Sequence, residues 1–274
     1  RRQIMKTILI TGASSGIGYQ TAELLAKAGN QVFGAARHVK AMDPLKKLGV
    51  IPIIMDVTSE SSIKNGLQAI IQKAGKIDVL INGAGYGSFG AIENVTIAEA
   101  KRQFDVNVFG LAALTKLVLP YMKKQYSGKI INISSMAGRF SSSLAGWYFA
   151  SKHAVEALSD SLRMEVKRFG IKVVLIEPGA IKSNWSHIAM DHLVKSSRGT
   201  DYEKVANKMA RQTNKIYASK FASKPSLVAK KIKKVVDSNH LRPRYLFGFS
   251  AKPTIFFNAI LPTRLMDKLI PMFM

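Results

Sequence analysis

The chain has 274 residues, of which 47% are hydrophobic, so it is long enough to bury a large core within one domain. It contains no cysteine, which excludes disulfides and thiolate metal sites, and its five histidines show no metal-ligand spacing, so we expect no metal. The 41 Lys and Arg residues against 17 Asp and Glu give a formal net charge of +24, which favours anionic ligands or surfaces.

The N-terminal residues 1–6 are too few and too polar to form a signal peptide. No apolar run reaches the roughly 18 residues of a membrane span. We therefore expect a soluble, cytoplasmic protein with one domain over residues 1–274.

The first element along the chain is a short apolar strand, Thr7–Thr11, which is followed at once by a glycine-rich turn and a helical stripe that ends at Gly29. Gly12 permits a tight turn, Gly16 lets the backbone approach a pyrophosphate, and Gly18 lets the helix pack closely on the strand. The alternative is a flexible turn without a ligand. The order of strand, glycine turn and helix favours a dinucleotide site at the helix N-terminus.

Strands and helices then alternate as far as residue 177. The predicted strands cover residues 31–36, 51–56, 79–82, 129–134 and 172–177, and the predicted helices cover 59–74, 97–121 and 146–169. This alternation predicts an α/β fold, a doubly wound parallel sheet with helices on both faces. Ligands of such sheets bind beyond the carboxyl ends of the strands, where we find Gly12, Arg37, Asp56, Asn82, Ser135 and Pro178.

Tyr148 and Lys152 lie four residues apart on a predicted helix, so their side chains share one face. A tyrosine with a pKa of about 10 is a poor acid–base group near neutral pH until a neighbouring cation favours the phenolate. Lys152 is placed to be that cation, and the Ser135 hydroxyl is available to hold a substrate oxygen against the phenol. Each residue also has a plain alternative as a surface or turn residue.

These motifs resemble those of the short-chain dehydrogenase/reductase family over the first 185 residues or so. The matching segments are TGASSGIG at 11–18, Asp56-Val57, NGAG at 82–85, Asn107, Ser134-Ser135, YFASK at 148–152 and Pro178-Gly179. The resemblance implies a Rossmann-type three-layer sandwich of about seven strands, a nicotinamide cofactor and a catalytic tetrad of Asn107, Ser135, Tyr148 and Lys152. It also implies cofactor contacts from Gly12, Ser14, Ser15, Gly16, Ile17, Gly18, Arg37, Asp56, Val57, Asn82, Gly83, Ala84, Gly85, Tyr148, Lys152, Pro178, Gly179, Ile181 and Ser183.

The end of the second strand bears on the choice of cofactor. An acidic residue there usually binds the ribose 2′-hydroxyl of NAD, whereas a 2′-phosphate needs a cation. Ala36 and Arg37 occupy this place, so we predict NADP(H), with NAD(H) as the alternative. The chain departs from the usual family pattern at Gly83, where asparagine is commoner, and at Ser183, where threonine is commoner.

The last third of the chain should determine specificity. Residues 184–226 resemble a substrate-covering insert, and residues 241–274 form an apolar extension whose prolines forbid one long helix. The candidate lid residues are Trp185, Ile188, Met190, Leu193, Met209 and Ile216. The tail could complete a pocket, cover a neighbouring subunit or contact a membrane, and we favour the pocket.

The sequence thus predicts an oxidoreductase that interconverts a hydrophobic secondary alcohol and its ketone or aldehyde with NADP(H), on a steroid-, retinoid- or lipid-like substrate. A non-catalytic dinucleotide sensor or scaffold on the same fold is the first alternative, and an epimerase or dehydratase is the second. We expect a homodimer or homotetramer, no nucleic-acid partner, and peripheral membrane contact as a further option.

Overall fold

The computed structural model describes residues 5–220 and 222–273, with no side-chain description for residues 271–273. The expectation that no signal peptide is present therefore concerns residues that lie mostly outside the described ones. The same holds for the last three residues of the predicted apolar tail, Met272, Phe273 and Met274, as far as their side chains are concerned.

Seven parallel strands form a single sheet in the order β3-β2-β1-β4-β5-β6-β7. Their bounds are β1 (Thr7–Thr11), β2 (Gln31–Ala36), β3 (Ile51–Ile54), β4 (Val79–Asn82), β5 (Gly128–Ile133), β6 (Ile171–Pro178) and β7 (Arg244–Phe247). The order reverses between β1 and β4, which opens a crevice beyond their carboxyl ends. The predicted doubly wound α/β fold is confirmed.

Helices cover both faces of the sheet. Their bounds are α1 (Gly16–Lys27), α2 (Asp43–Lys46), α3 (Glu60–Ala74), α4 (Ile97–Phe104), α5 (Leu111–Lys124), α6 (Gly146–Glu165), α7 (Asn184–Ser197), α8 (Glu203–Ala218), α9 (Pro225–Asp237), α10 (Ala251–Ile260) and α11 (Thr263–Phe273). Alternate residues of β1 point to opposite faces, so Ile8 and Ile10 join the core under α1 and α9, while Leu9 joins the core under α3 and α5. Both faces are therefore buried, as the continuous apolar strands predicted.

Three predicted strands differ from the observed ones at their ends. The strand predicted to reach residue 56 ends at Ile54, because the Asp56 carboxylate accepts hydrogen bonds from the backbone and hydroxyl of Thr58 and turns the chain toward α3. The predicted strands 129–134 and 172–177 are observed as β5 and β6, shifted by one residue at their ends.

The predicted helix 97–121 is a continuous helical stretch from Ile97 to Lys124 that contains a π turn at Asp105–Gly110 between α4 and α5. By length and composition alone this stretch is apolar enough to span a membrane, although no continuous apolar run was found in the sequence. It connects the neighbouring strands β4 and β5, and its Leu114, Val118 and Met122 are buried in the core against the sheet. These contacts account for the apolar residues on the side of the stretch that faces the sheet.

A charge network around the buried carboxylates of Glu156 and Glu177 joins α6, β6 and β7. Arg244 Nε lies 3.1 Å from carboxylate oxygens of both Glu156 and Glu177, and Arg139 Nη1 lies 3.4 Å from Glu177. Burial, followed by the nearby charge of Glu156, raises the pKa of Glu177 to about 7 against the opposing effect of the two arginines. The network fixes β7 at the sheet edge beside the end of β6.

The last third of the chain packs around one apolar cluster. Met190 and Leu193 of α7, Ile255 of α10 and Met266 of α11 are buried in the cluster that also contains Tyr148. The predicted 184–226 segment thus folds as α7 and α8 up to the start of α9. The tail forms β7 and two separate helices, which the prolines had indicated.

Candidate active site

The glycine turn after β1 brings the N-terminus of α1 against the turn after β4. Gly12 and Gly16 have positive φ values of 70° and 53°, which side chains rarely adopt. A Cβ on Gly12 would lie 2.7 Å from the Gly83 carbonyl oxygen, and one on Gly18 would lie 2.2 Å from that of Gly12. The Ser15 side chain makes no capping bond to the helix, so the first-turn amides of α1 are left for an anion.

The turn after β4 is held by hydrogen bonds from its backbone to a side chain at the end of β1. Thr11 Oγ1 accepts bonds from the backbone N of Gly83 at 3.0 Å and from that of Ala84 at 3.2 Å. The Asn82 side chain points away from this turn, and its Nδ2 donates to Asn132 Oδ1 at 2.9 Å in the buried sheet. Asn82 therefore fixes neighbouring strands, and the turn presents backbone atoms to the crevice.

Asn107 lies within the π turn and ties it to α6 and to the segment after β4. Its Nδ2 donates to the Tyr86 carbonyl oxygen at 3.0 Å and to Ser151 Oγ at 3.1 Å, and its Oδ1 accepts from Tyr86 N at 3.0 Å. A Cβ on Gly85 would lie 3.1 Å from Asn107 Oδ1 and 3.9 Å from Lys152 Nζ. Widened turns of this kind are frequent at functional sites, and this one carries a predicted tetrad residue.

The other three residues of the predicted tetrad converge beyond the end of β5. Tyr148 and Lys152 on α6 are each 7% exposed. The Lys152 ammonium donates to the Ile133 carbonyl oxygen at 3.0 Å and lies 5.9 Å from the centroid of the Tyr148 ring. Ser135 follows β5 and its Oγ accepts a bond from Ala137 N at 3.2 Å. The structure therefore brings all four predicted side chains into one region.

The acid–base properties of this region differ from the expectation in one respect. Burial raises the pKa of Tyr148, against the Ser135 hydroxyl, which favours the phenolate, and with a smaller contribution from Tyr217. Burial also lowers the pKa of Lys152 to about 8, against the attraction of Glu156. The direction of the shift in the Tyr148 pKa is opposite to the predicted lowering, and Lys152 is not among its causes; the Lys152 ammonium is hydrogen-bonded to the Ile133 carbonyl oxygen.

A mostly apolar cavity opens over the Tyr148 ring and contains about 640 Å³ of empty space, part of it open to solvent. Aromatic rings surround the phenol, with centroid distances of 5.4 Å to Phe89, 5.0 Å to Trp185 and 6.1 Å to Phe149. The full lining consists of Phe89, Met136, Ala137, Phe140, Tyr148, Phe149, Gly179, Ala180, Trp185, Thr213, Ile216, Tyr217, Phe249 and Ser250.

The predicted lid residues do not all reach this cavity. Trp185 and Ile216 line it, whereas Met190 and Leu193 are buried in the cluster behind it. Met209 packs on the same cluster, and Ile188 is 47% exposed at the surface. The packing of α7 on α8 decides which face of each of these two helices lines the cavity.

Arg37 and Asp56 lie at the carboxyl ends of neighbouring strands β2 and β3, where Arg37 is exposed to solvent. Burial works to raise the pKa of Asp56, but hydrogen bonds from Thr58 and the charge of Arg37 hold that pKa below its usual value. The neighbouring Val57 packs under the π turn, where a Cβ on Gly110 would lie 2.7 Å from the Val57 carbonyl oxygen.

The segment after β6 faces the glycine turn from the opposite side. Pro178 ends β6, and a Cβ on Gly179 would lie 2.3 Å from the Phe249 carbonyl oxygen. The Ser183 Cβ lies 3.8 Å from the position of a Cβ on Gly16. The segment after β6 therefore lies beside the start of α1 at Gly16.

The sequence analysis assigned no role to several residues of this region. Thr11 and Ser151 lie inside matched motifs, which was the only signal for them. Neither the hydrogen bonds of Thr11 to the β4 turn nor the bond of Ser151 to Asn107 was predicted. Thr213 and Tyr217 of α8 line the cavity but belong to no motif. The basic residues dominate the sequence pattern of that helix, so no polar residue facing the cavity was predicted.

The family model of the short-chain dehydrogenases matches residues 6–192 of this chain. The probable short-chain type dehydrogenase/reductase VdlC of Helicobacter pylori is 38% identical over 261 residues, which cover 95% of each chain. The 3-ketodihydrosphingosine reductase of Bacteroides thetaiotaomicron is 43% identical over 180 residues, or 65% of each chain. A short-chain dehydrogenase structure from Streptomyces avermitilis superimposes with a TM-score of 0.81 at 31% identity, covering 97% of this chain and 95% of that one. With its sheet, its glycine turn and its clustered Ser135, Tyr148 and Lys152, the chain belongs to the short-chain dehydrogenase/reductase family of oxidoreductases.

Proposed function

We propose that this oxidoreductase interconverts a hydrophobic secondary alcohol and its ketone or aldehyde, with NADP(H) as the preferred cofactor. The observation that carries the proposal is the position of the Tyr148 phenol. It lies in the wall of an apolar cavity, beside Ser135 and one helical turn from Lys152. A non-catalytic sensor on this fold would have no need for this cluster.

The cofactor is a nicotinamide dinucleotide, and the residues around the crevice fit such a group. The open first turn of α1 offers amide donors to a pyrophosphate, and a side chain at Gly12 or Gly18 would collide with the backbone that forms the turn. Lys152 lies next to Gly85, and its ammonium would hold the ribose hydroxyls of the cofactor. When bound, the nicotinamide supplies or accepts the hydride.

The choice of NADP(H) over NAD(H) rests on the end of β2. Ala36 and Arg37 stand where an acidic side chain would bind a ribose 2′-hydroxyl. The Arg37 guanidinium is exposed and would pair with a 2′-phosphate, since its planar group matches that anion. Ser14, also near the turn, is a further donor for the same phosphate.

In the reductive direction, the Ser135 and Tyr148 hydroxyls donate hydrogen bonds to the substrate carbonyl oxygen, and Tyr148 gives it a proton as negative charge develops there. The raised pKa of Tyr148 keeps the phenol protonated but makes it a weaker acid, so transfer of its proton depends on the negative charge that develops on the substrate oxygen. Lys152, whose pKa is lowered to about 8 by burial, is suited to return a proton near neutral pH. Asn107 holds the π turn beside Lys152 and positions the backbone of that turn for a proton relay.

The cavity supports a hydrophobic substrate of moderate size. Most lining side chains are aromatic or aliphatic, and the few polar groups among them are uncharged, which is typical of a site for an apolar ligand. The similarity to a 3-ketodihydrosphingosine reductase supports a ketone as the oxidised partner. A lipid-like ketone therefore fits better than a sugar.

Two exposed apolar surfaces support the proposed partners. Phe109 at the π turn and Leu158 and Met164 of α6 are 61%, 44% and 65% exposed, which suits a homo-oligomer built on these helices. On α10, Phe256 and Ile260 are 60% and 58% exposed, beside basic residues such as Lys252 and Arg264. An apolar face with basic neighbours, on a chain of net charge +24, suits peripheral contact with an anionic membrane.

The test is a panel of hydrophobic ketones and secondary alcohols, assayed by reduced-nicotinamide absorbance with both cofactors, for the wild type and for Tyr148→Phe. Loss of the proton donor should lower kcat by roughly 100-fold or more and leave the cofactor dissociation constant unchanged. Tyr126→Phe, at a tyrosine that is 72% exposed, is the matched control and should keep full turnover. Undiminished turnover by Tyr148→Phe would refute the assignment.

A further inference from the structure

Helix α8 presents two hydroxyl side chains to the cavity that contains Tyr148. Thr213 and Tyr217 are four residues apart, so they share one face of α8, and both line the cavity. The exposed face of the same helix carries basic side chains such as Lys204 and Arg211. One face of α8 is therefore solvated, and the other contributes polar groups to a substrate pocket.

The Thr213 hydroxyl has no partner in the part of the chain that the structure describes. Its Oγ1 is buried without a hydrogen bond. A threonine inside a helix commonly donates to the carbonyl oxygen of the preceding turn, as Thr21 does to Ile17 at 2.7 Å. Thr213 does not make that bond, so its hydroxyl is held in the cavity wall with its hydrogen-bonding capacity unused.

The Tyr217 hydroxyl lies near the reacting group. Tyr217 and Tyr148 line the same cavity, and Tyr217 is among the groups that raise the pKa of the Tyr148 phenol. Burial raises the pKa of Tyr217 itself to about 12, so it is a neutral donor and acceptor at physiological pH. None of the hydrogen bonds found among residues 5–220 and 222–273 uses this hydroxyl.

The other residues that line the cavity limit the kind of substrate group that Thr213 and Tyr217 could bind. Among the described lining residues there is no acidic, basic or histidine side chain. Apart from Tyr148, Ser250 and the indole of Trp185, Thr213 and Tyr217 supply the polar side chains of the wall. A charged substituent would find no counter-ion there, whereas a neutral oxygen would find two hydroxyls.

We propose that Thr213 and Tyr217 form a second polar subsite that hydrogen-bonds a neutral hydroxyl or carbonyl oxygen of the substrate, close to the carbon that is reduced. This inference rests on the proposed function and refines it: the substrate class is a hydrophobic hydroxyketone or diketone rather than a simple ketone. Both residues determine specificity, while Tyr148 and Ser135 act on the reacting oxygen.

The experiment compares a long-chain aliphatic ketone with the α-hydroxyketone of the same chain length. We expect the wild type to prefer the hydroxyketone by about tenfold or more in kcat/KM, since one unmatched hydrogen-bonding group corresponds to about that factor. Thr213→Val and Tyr217→Phe should each remove most of the preference, mainly through KM for the hydroxyketone. In both variants kcat/KM for the simple ketone should fall by a smaller factor than kcat/KM for the hydroxyketone.

Thr254→Val is the matched control. Thr254 Oγ1 is also buried without a hydrogen-bond partner, but Thr254 lies in α10 outside the cavity lining. This variant should keep the preference for the hydroxyketone. A purely structural role of α8 would lower turnover of both substrates equally in Thr213→Val and Tyr217→Phe.

The outcomes separate the subsite from the reaction. Turnover of the simple ketone with no preference for the hydroxyketone, or with a preference that both variants retain, overturns the subsite and leaves the proposed function standing. Turnover of neither ketone with either cofactor counts against the proposed function. The subsite is then tested by quenching of Trp185 fluorescence in a Trp147→Phe background, and equal affinity for the two ketones overturns it.

Discussion

Replacing Thr11 by valine should loosen the turn after β4 without opening a cavity, because the two side chains have nearly the same shape. Thr11 is 2% exposed, and its hydroxyl accepts bonds from Gly83 N and Ala84 N at 3.0 and 3.2 Å. A buried donor left without a partner costs about 1–3 kcal/mol. Since Gly83 and Ala84 are half-buried and water replaces part of the loss, we expect a total of about 1–3 kcal/mol for both bonds.

The assay is urea unfolding of the Thr11→Val protein, together with titration of NADPH, whose dissociation constant should rise because the turn lines the cofactor crevice. Thr21→Val is the control, since Thr21 is fully buried and donates to the Ile17 carbonyl oxygen of its own helix. Loss of the Thr21 hydroxyl leaves no donor unpaired, so this variant should lower the free energy of unfolding by less than about 1 kcal/mol. Equal destabilisation by the two variants, with unchanged NADPH affinity for Thr11→Val, would refute the reasoning.

Three further predictions follow from charged groups. Arg37→Ala should raise KM for NADPH by about tenfold or more and leave KM for NADH within about twofold, because one charge-assisted hydrogen bond to the 2′-phosphate is lost. The pKa of Glu177 is raised in the folded protein to about 7, so its contribution to stability is present below about pH 4.5 and is lost as the pH rises to about 7. Glu177→Gln should therefore flatten the fall in unfolding free energy between pH 5 and 7.5, measured by urea unfolding. The wild type should sediment with anionic vesicles at low salt, less at high salt, and Phe256→Ser should weaken this binding.

Each of these has a control and an opposing result. Lys40→Ala, at an exposed lysine three residues beyond Arg37, should affect the two cofactors equally, and an equal effect of Arg37→Ala would remove the argument for NADP(H). An identical pH slope in wild type and Glu177→Gln would show that Arg139 and Arg244 keep Glu177 ionised throughout. No sedimentation at either salt concentration, or equal binding to neutral vesicles, would contradict the membrane proposal.

Local sequence patterns predicted most strands of the sheet and the central residues of the candidate site. Continuous apolar strands, the glycine turn and the spacing between Tyr148 and Lys152 depend on neighbours within a few residues. Such signals are visible in one chain without any knowledge of packing. The first six strands and the clustering of Ser135, Tyr148 and Lys152 were accordingly predicted, with strand ends displaced by one or two residues.

The features that were missed depend on residues distant in sequence. β7 (Arg244–Phe247) is short and half-buried, and it is a strand because it pairs with β6 and because Arg244 is held by Glu156 and Glu177. The π turn around Asn107 carries no pattern distinct from the long apolar helix that contains it. The pKa of Tyr148 was predicted to fall and instead rises, because pairing with Lys152 was inferred from spacing, while burial depends on the whole cavity.

By itself the sequence determined the fold class, the glycine turn after the first strand and the candidate residues of the site, because strand pattern, glycine positions and helical spacing are encoded locally. Only the tertiary structure decided which side chains of the last third of the chain line the cavity over Tyr148. The packing of α7, α8 and α10 on the sheet turns Trp185, Thr213 and Tyr217 inward and leaves Ile188 and Phe256 at the surface. That choice is made by contacts between segments far apart in the chain, which no local pattern records.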